Sequence, residues 1–95
     1  MLNLNNKSIL ITGGTGSLGK ALTKRIYEQY PNVKRLVIFS RDEQKQFQMA
    51  QEYPADKYKS IRFFIGDVRD KERLIRAMKG IDYVIHAAAM KHVHL

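Results

Sequence analysis

Gly13, Gly16 and Gly19 recur at every third residue within Thr12-Gly13-Gly14-Thr15-Gly16-Ser17-Leu18-Gly19, directly after the apolar run Ile9-Leu10-Ile11. Between a strand and a helix, that spacing suits one kind of chemistry: holding a pyrophosphate with backbone rather than with charged side chains. Gly13 permits the tight turn off the strand, and Gly16 lets N–H groups approach the phosphates. Gly19 lets the helix pack closely on the sheet, with its N-terminus facing the negative charge. Thr15, Ser17 and Leu18 complete the stretch expected to hold a dinucleotide. The alternative is an ordinary glycine-rich turn. A nucleotide-triphosphatase loop is disfavoured: Gly14 and Gly19-Lys20 have its spacing, but Ala21 stands where a hydroxyl is needed for magnesium.

Cofactor choice falls at the end of the second apolar run. An acidic residue there would bond both ribose hydroxyls and select NAD. Here Phe39 leads instead into Ser40-Arg41-Asp42. A guanidinium at that point pairs bidentately with a 2′-phosphate, the Ser40 hydroxyl adds a hydrogen bond, and Lys45 adds a second charge. NADP is therefore the expected cofactor. The competing reading is a surface arginine beside an Asp42 helix cap. Farther on, Asp67 stands in Gly66-Asp67-Val68-Arg69-Asp70. It either accepts from an adenine amino group, with Val68 on the ring, or only orders its turn.

A fourth run ends in His86-Ala87-Ala88-Ala89-Met90-Lys91-His92. Ala87 and Ala89 leave room for a cofactor over the strand end, where open α/β sheets bind ligands. Lys91 then projects near the nicotinamide ribose or an anionic substrate, or else is a plain solvated lysine. His92 and His94 lack a third ligand, so no metal is expected.

The elements that must position these residues are legible from apolar runs and punctuation. Residues 8–12, 35–39, 61–65 and 83–87 read as strands buried on both faces. Residues 17–30, 42–53 and 70–79 read as helices. Leu18, Leu22 and Ile26 line one face of the first helix, and Leu74 with Met78 one face of the third. The second is poorly apolar, with Phe47 and Ala50 as its expected buried pair. Pro31-Asn32, Pro54 and Gly80 end the helices, and Asp70 is placed to cap the third. Right-handed crossovers then give a doubly wound parallel α/β sheet in the order 3-2-1-4, a partial Rossmann-like fold. With no repeat or linker, residues 1–95 read as a single domain.

Composition agrees. The chain has 95 residues, 44% of them hydrophobic, enough for one core. No apolar run approaches a membrane span and no leader is recognisable, so no membrane partner is expected and the cytoplasm is the default compartment. Cysteine is absent, which excludes a disulfide framework. The net charge of +8 allows a basic nucleic-acid-binding domain. The cations are scattered along the chain, however, without an RNA-binding aromatic signature or helix-turn-helix pattern, so nucleic acid is not the expected partner.

These residues resemble a known family. Thr-Gly-x-x-Gly-x-x-Gly, the Asp after strand three and the His-x-Ala-Ala strand are similar to extended short-chain dehydrogenase/reductases. Phe39-Ser40-Arg41-Asp42-Glu43, Phe63-Phe64-Ile65-Gly66-Asp67-Val68-Arg69-Asp70 and His86–Val93 narrow this to the inverting UDP-N-acetylglucosamine 4,6-dehydratases and related bacterial polysaccharide-biosynthesis proteins. The resemblance implies NADP held by Gly13–Leu18 and Ser40–Lys45, adenine beside Asp67 and Val68, and the nicotinamide end beside Ala87 and Lys91. Lys91 would also touch the sugar nucleotide, UDP-N-acetylglucosamine. The implied reaction takes a hydride from sugar C4, loses water across C5–C6 and returns the hydride to C6, with inversion at C5. The family's catalytic Tyr-x-x-x-Lys pair has no counterpart here, because the two matching spacings, Tyr30 with Lys34 and Tyr53 with Lys57, both precede the third strand. The resemblance thus covers an N-terminal part, truncated after the fourth strand. That part is expected to be inactive by itself and to self-associate as a homo-oligomer or through its Tyr83-Val84-Ile85 edge; the alternative is a non-catalytic NADP-binding module that acts with a partner chain.

Overall fold

The computed structural model describes residues 2–87. Four strands, β1 (Ser8–Thr12), β2 (Arg35–Ser40), β3 (Ile61–Ile65) and β4 (Tyr83–His86), alternate with helices α1 (Ser17–Gln29), α2 (Glu43–Glu52) and α3 (Lys71–Ala77). All strand pairs are parallel, and the sheet order is β3-β2-β1-β4. This is the Rossmann-like α/β topology expected from the sequence.

Because neighbouring side chains on a strand point to opposite faces, each central strand supplies two cores. Ile9, Ile11, Leu36, Ile38 and Ile61 face one layer, where they meet Ile26 of α1 and Met49 of α2. Leu10, Val37 and Phe39 face the other, with Ala77 and the half-buried Leu74 of α3. β1 is buried at all five positions, as a central parallel strand should be. The last strand is bracketed onto it: the Ser8 N–H donates to Asp82 Oδ2 and the Asp82 N–H donates to the Ser8 carbonyl, both at 2.8 Å.

Several expectations need correction. β3 and β4 are the sheet edges and are only partly buried rather than buried on both faces, and β4 ends at His86 rather than at residue 87. On α2 the buried residues are Gln46 and Met49, whereas Phe47 is 66% exposed. Gln46 and Met49 have the same spacing as Phe47 and Ala50, and the Gln46 amide is held inward by hydrogen bonds to Ser40 and the Phe64 carbonyl. On α3, Met78 is 40% exposed and Ala77 takes the core position beside Leu74. Helix ends also shift by a residue or more, since Tyr30, Asp42, Tyr53, Asp70 and Met78 are caps rather than helical turns. β2 gains Ser40, which places that residue on the sheet itself.

Candidate functional site

The glycine loop leaves β1 with Gly13 at φ 63°, in the left-handed region that side chains disfavour. The Gly14 N–H donates to the Phe39 carbonyl at 3.3 Å, tying the loop to the end of β2. Gly16 is the N-cap of α1; no side chain caps that helix and no acidic residue stands in its first turn. The other two helices differ. Asp42 accepts from the Lys45 N–H at 2.9 Å and Asp70 from the Arg73 N–H at 3.2 Å, with Glu43 and Glu72 in the respective first turns. α1 is therefore the helix whose orphan donors and positive dipole end are left without a carboxylate.

Next to this end lies a groove of about 360 Å³ at the C-terminal edge of the sheet. Of the expected residues it brings together Gly13, Thr15 and Gly16 from the loop, Ser40, Arg41, Asp42 and Lys45 after β2, and Asp67 with Val68 after β3. Asp42 both caps α2 and lines the groove, so its two readings are not exclusive. Ser17 is exposed at the start of α1, Leu18 packs against the core, and Gly19 is buried against the loop. Ala87 follows β4 and is buried in the core below. Ala89 and Lys91 lie outside the described residues. Phe39, Gly66 and Arg69 also line the groove. All three stand within the sequence motifs without a binding role assigned to them there, and Arg69 belongs to the turn before α3.

Electrostatically the groove is cationic around one neutralised carboxylate. Arg69 holds Asp67 through its Nη2 at 2.8 Å, its Nε at 3.2 Å and its backbone N–H at 2.9 Å, while Arg41 lies 3.5 Å away. The Arg69 hydrogen bonds, side-chain then backbone, hold the Asp67 carboxyl well below the usual carboxylate range. Arg41 is 70% exposed and bound only at that long distance, so it is free to turn toward an anion. A folded-state pKa below the unfolded value of about 3.9 makes the contribution to stability present above that value and lost as pH falls through the folded one. At pH 3.5 the Asp67 carboxyl ¹³C resonance is accordingly expected to remain in its ionised position while freely solvated carboxylates titrate; half-protonation there would contradict the Arg69 pairing.

Among the described residues no cluster of His, Asp or Glu could hold a metal, and no helix is long and apolar enough to cross a membrane. Neither Tyr-x-x-x-Lys spacing, Tyr30 with Lys34 or Tyr53 with Lys57, lines the groove. Tyr53 packs with Tyr27 and Tyr58 near the start of β3, at centroid distances of 6.0 and 4.9 Å.

The model of a family described as polysaccharide biosynthesis protein matches residues 9–95. The chain belongs to this family. It is 61% identical over 90 residues to the UDP-N-acetylglucosamine 4,6-dehydratase (inverting) of Campylobacter jejuni, a match covering 94% of this chain and 25% of that protein. It is 48% identical to a UDP-glucose 4-epimerase of Rickettsia bellii, over 93% of this chain and 26% of the relative. The X-ray structure of Pen from Bacillus thuringiensis superposes with a TM-score of 0.85 at 42% identity, covering 97% of this chain and 28% of that one. The chain thus spans about a quarter of the length of the curated relatives it matches.

Proposed function

We propose that this chain is the NADP-binding N-terminal part of a nucleotide-sugar dehydratase that acts on UDP-N-acetylglucosamine with inversion at C5. The observation that carries the cofactor reading is the groove itself. The uncapped N-terminus of α1 and the cations Arg41 and Lys45 converge on one cleft at the strand ends. Support for the substrate comes from the 61% identity to an enzyme named for that reaction.

When bound, NADP⁺ supplies a reversible hydride acceptor. The residues of this chain supply its seat. Backbone donors around Gly13–Ser17 face the pyrophosphate, where the helix dipole favours negative charge. Arg41 exchanges its long contact with Asp67 for the 2′-phosphate, which a guanidinium binds in a two-pronged fashion. Lys45, in the first turn of α2, adds a point charge. Asp67, its charge already balanced by Arg69, accepts from the adenine amino group, and the exposed Val68 covers the ring. The family resemblance assigns the nicotinamide side to Ala87, Ala89 and Lys91, and the sugar nucleotide to Lys91 as well; Ala89 and Lys91 lie outside the described residues. None of these residues performs the proton transfers, so the 95-residue chain binds cofactor without turnover.

A thermal melt with each nicotinamide cofactor tests this. Ligand at a hundredfold over its dissociation constant adds about 2.7 kcal/mol, and each kcal/mol is worth about 4–8 °C in a domain this small. NADP⁺ is expected to raise the Tm by about 10 °C or more, NAD⁺ by much less, and Arg41→Ala to erase the difference. Equal shifts would refute the 2′-phosphate reading, and no shift with either would refute cofactor binding by this chain.

A further inference from the structure

Gln46 is a polar side chain that α2 carries inward, 5% exposed, toward the C-terminal ends of β2 and β3. Its Nε2 lies 3.1 Å from the Phe64 carbonyl, 3.4 Å from the Ser40 carbonyl and 3.0 Å from Ser40 Oγ. Two of these three partners are carbonyl oxygens, which can only accept. The atom facing them must therefore be the NH₂ end of the amide, and the direction of donation is fixed. One amide hydrogen serves Phe64, and the other is shared between the two oxygens of Ser40. Ser40 Oγ is thus an acceptor on its Gln46 side. Its own hydrogen is left to point elsewhere, and among the described residues no acceptor takes it. Ser40 lines the groove beside Arg41 and Lys45.

We propose that Gln46 is a positioning residue for cofactor selection: by donating to Ser40 Oγ it makes the Ser40 hydroxyl a dedicated donor, aimed at the 2′-phosphate. This rests on the NADP reading above. A hydroxyl so constrained meets an anion without first breaking a bond to protein. A ribose 2′-hydroxyl, which would find partners in either orientation, gains much less. A hydrogen bond to a charged group is worth roughly tenfold or more in affinity, so the effect belongs in the ratio of NADP⁺ to NAD⁺ binding rather than in binding as such.

Calorimetric titration of the purified protein with NADP⁺ and NAD⁺ tests this on Ser40→Ala, Gln46→Met and the double variant. Each single change is expected to weaken NADP⁺ about tenfold and to move NAD⁺ less than twofold. The double variant should be no weaker than Ser40→Ala, because the two residues act in series. Losses that multiply, a Gln46→Met variant that weakens both cofactors alike or neither, or a Ser40→Ala variant that keeps the full preference would each overturn the proposal. The unsubstituted protein gives a reading that needs no refolded variant. By NMR, its Gln46 side-chain amide protons are expected to shift on adding NADP⁺ and not NAD⁺; equal shifts, or none, would also overturn it. If the unsubstituted protein binds both cofactors equally, the NADP reading itself has failed, a result visible before any substitution is made.

Discussion

Phe39→Ala is expected to cost about 3–5 kcal/mol, the range for removing a fully buried aromatic ring, and to lower the Tm by more than about 12 °C. The ring is completely buried and stacks on Phe64 at 5.8 Å between centroids. Its far edge fills the space over Gly66, where a Cβ would come within 2.7 Å of Phe39 Cζ. Its buried neighbours on that face are Leu10 and Val37 of the sheet and Ala77 of α3. Total stability for a chain of this size lies near the lower end of about 5–15 kcal/mol, so much of it would go. Phe39 also lines the groove, and cofactor binding should weaken with the fold. Phe47→Ala is the control: the same residue type, 66% exposed, is expected to change stability by no more than about 0.5 kcal/mol. Comparable losses from the two variants in a urea titration would show that the core is misassigned.

Gly19→Ala is the second large effect. A Cβ at residue 19 would lie 2.5 Å from the Cα, C and O atoms of Gly14. All three are backbone, so no rotamer can relieve the clash, and α1 must lift away from the loop. Overpacking of this kind costs about 3 kcal/mol at the upper end of its usual range, or about 12–24 °C in Tm for a small domain. Elsewhere in a helix the same change would be mildly stabilising, so the sign alone is diagnostic. A variant as stable as the parent, by thermal melt, would mean that the first turn of α1 does not pack on Gly14 as described.

Where residue type decided the outcome, the sequence was a reliable guide. Continuous apolar runs such as Ile9-Leu10-Ile11 can be satisfied only by burial on both faces, which fixes a central parallel strand and, with the helices between, the sheet order. Asp70 capped its helix as expected because a carboxylate before an N-terminus has one strong local use. The groove brought together nine of the expected residues because the glycine loop, the Ser40-Arg41-Asp42 turn and the Asp67 turn all follow strands of one parallel sheet. What stayed hidden depended on partners distant in sequence. Nothing near Gln46 marks it for burial, since its bonds go to Ser40 and to Phe64 on the next strand. Phe47 and Ala50 are more apolar than Gln46 and as well spaced as Gln46 with Met49, and hydrophobic periodicity assigns no value to a satisfied amide. Arg69 likewise reads as one more surface cation until Asp67 is seen folded against it.

The bracket between Ser8 and Asp82 also bears on the order in which the chain assembles. β1 meets β2, and β2 meets β3, across sequence intervals about a third of the 74 residues that separate Ser8 from Asp82. Closing the longer loop costs about 1 kcal/mol more in chain entropy. The three-stranded half is therefore expected to form first during refolding, with β4 joining afterwards. Two reciprocal bonds at its leading end give that late arrival a starting point, so that a strand of four residues zips onto β1 in one alignment instead of sliding along it.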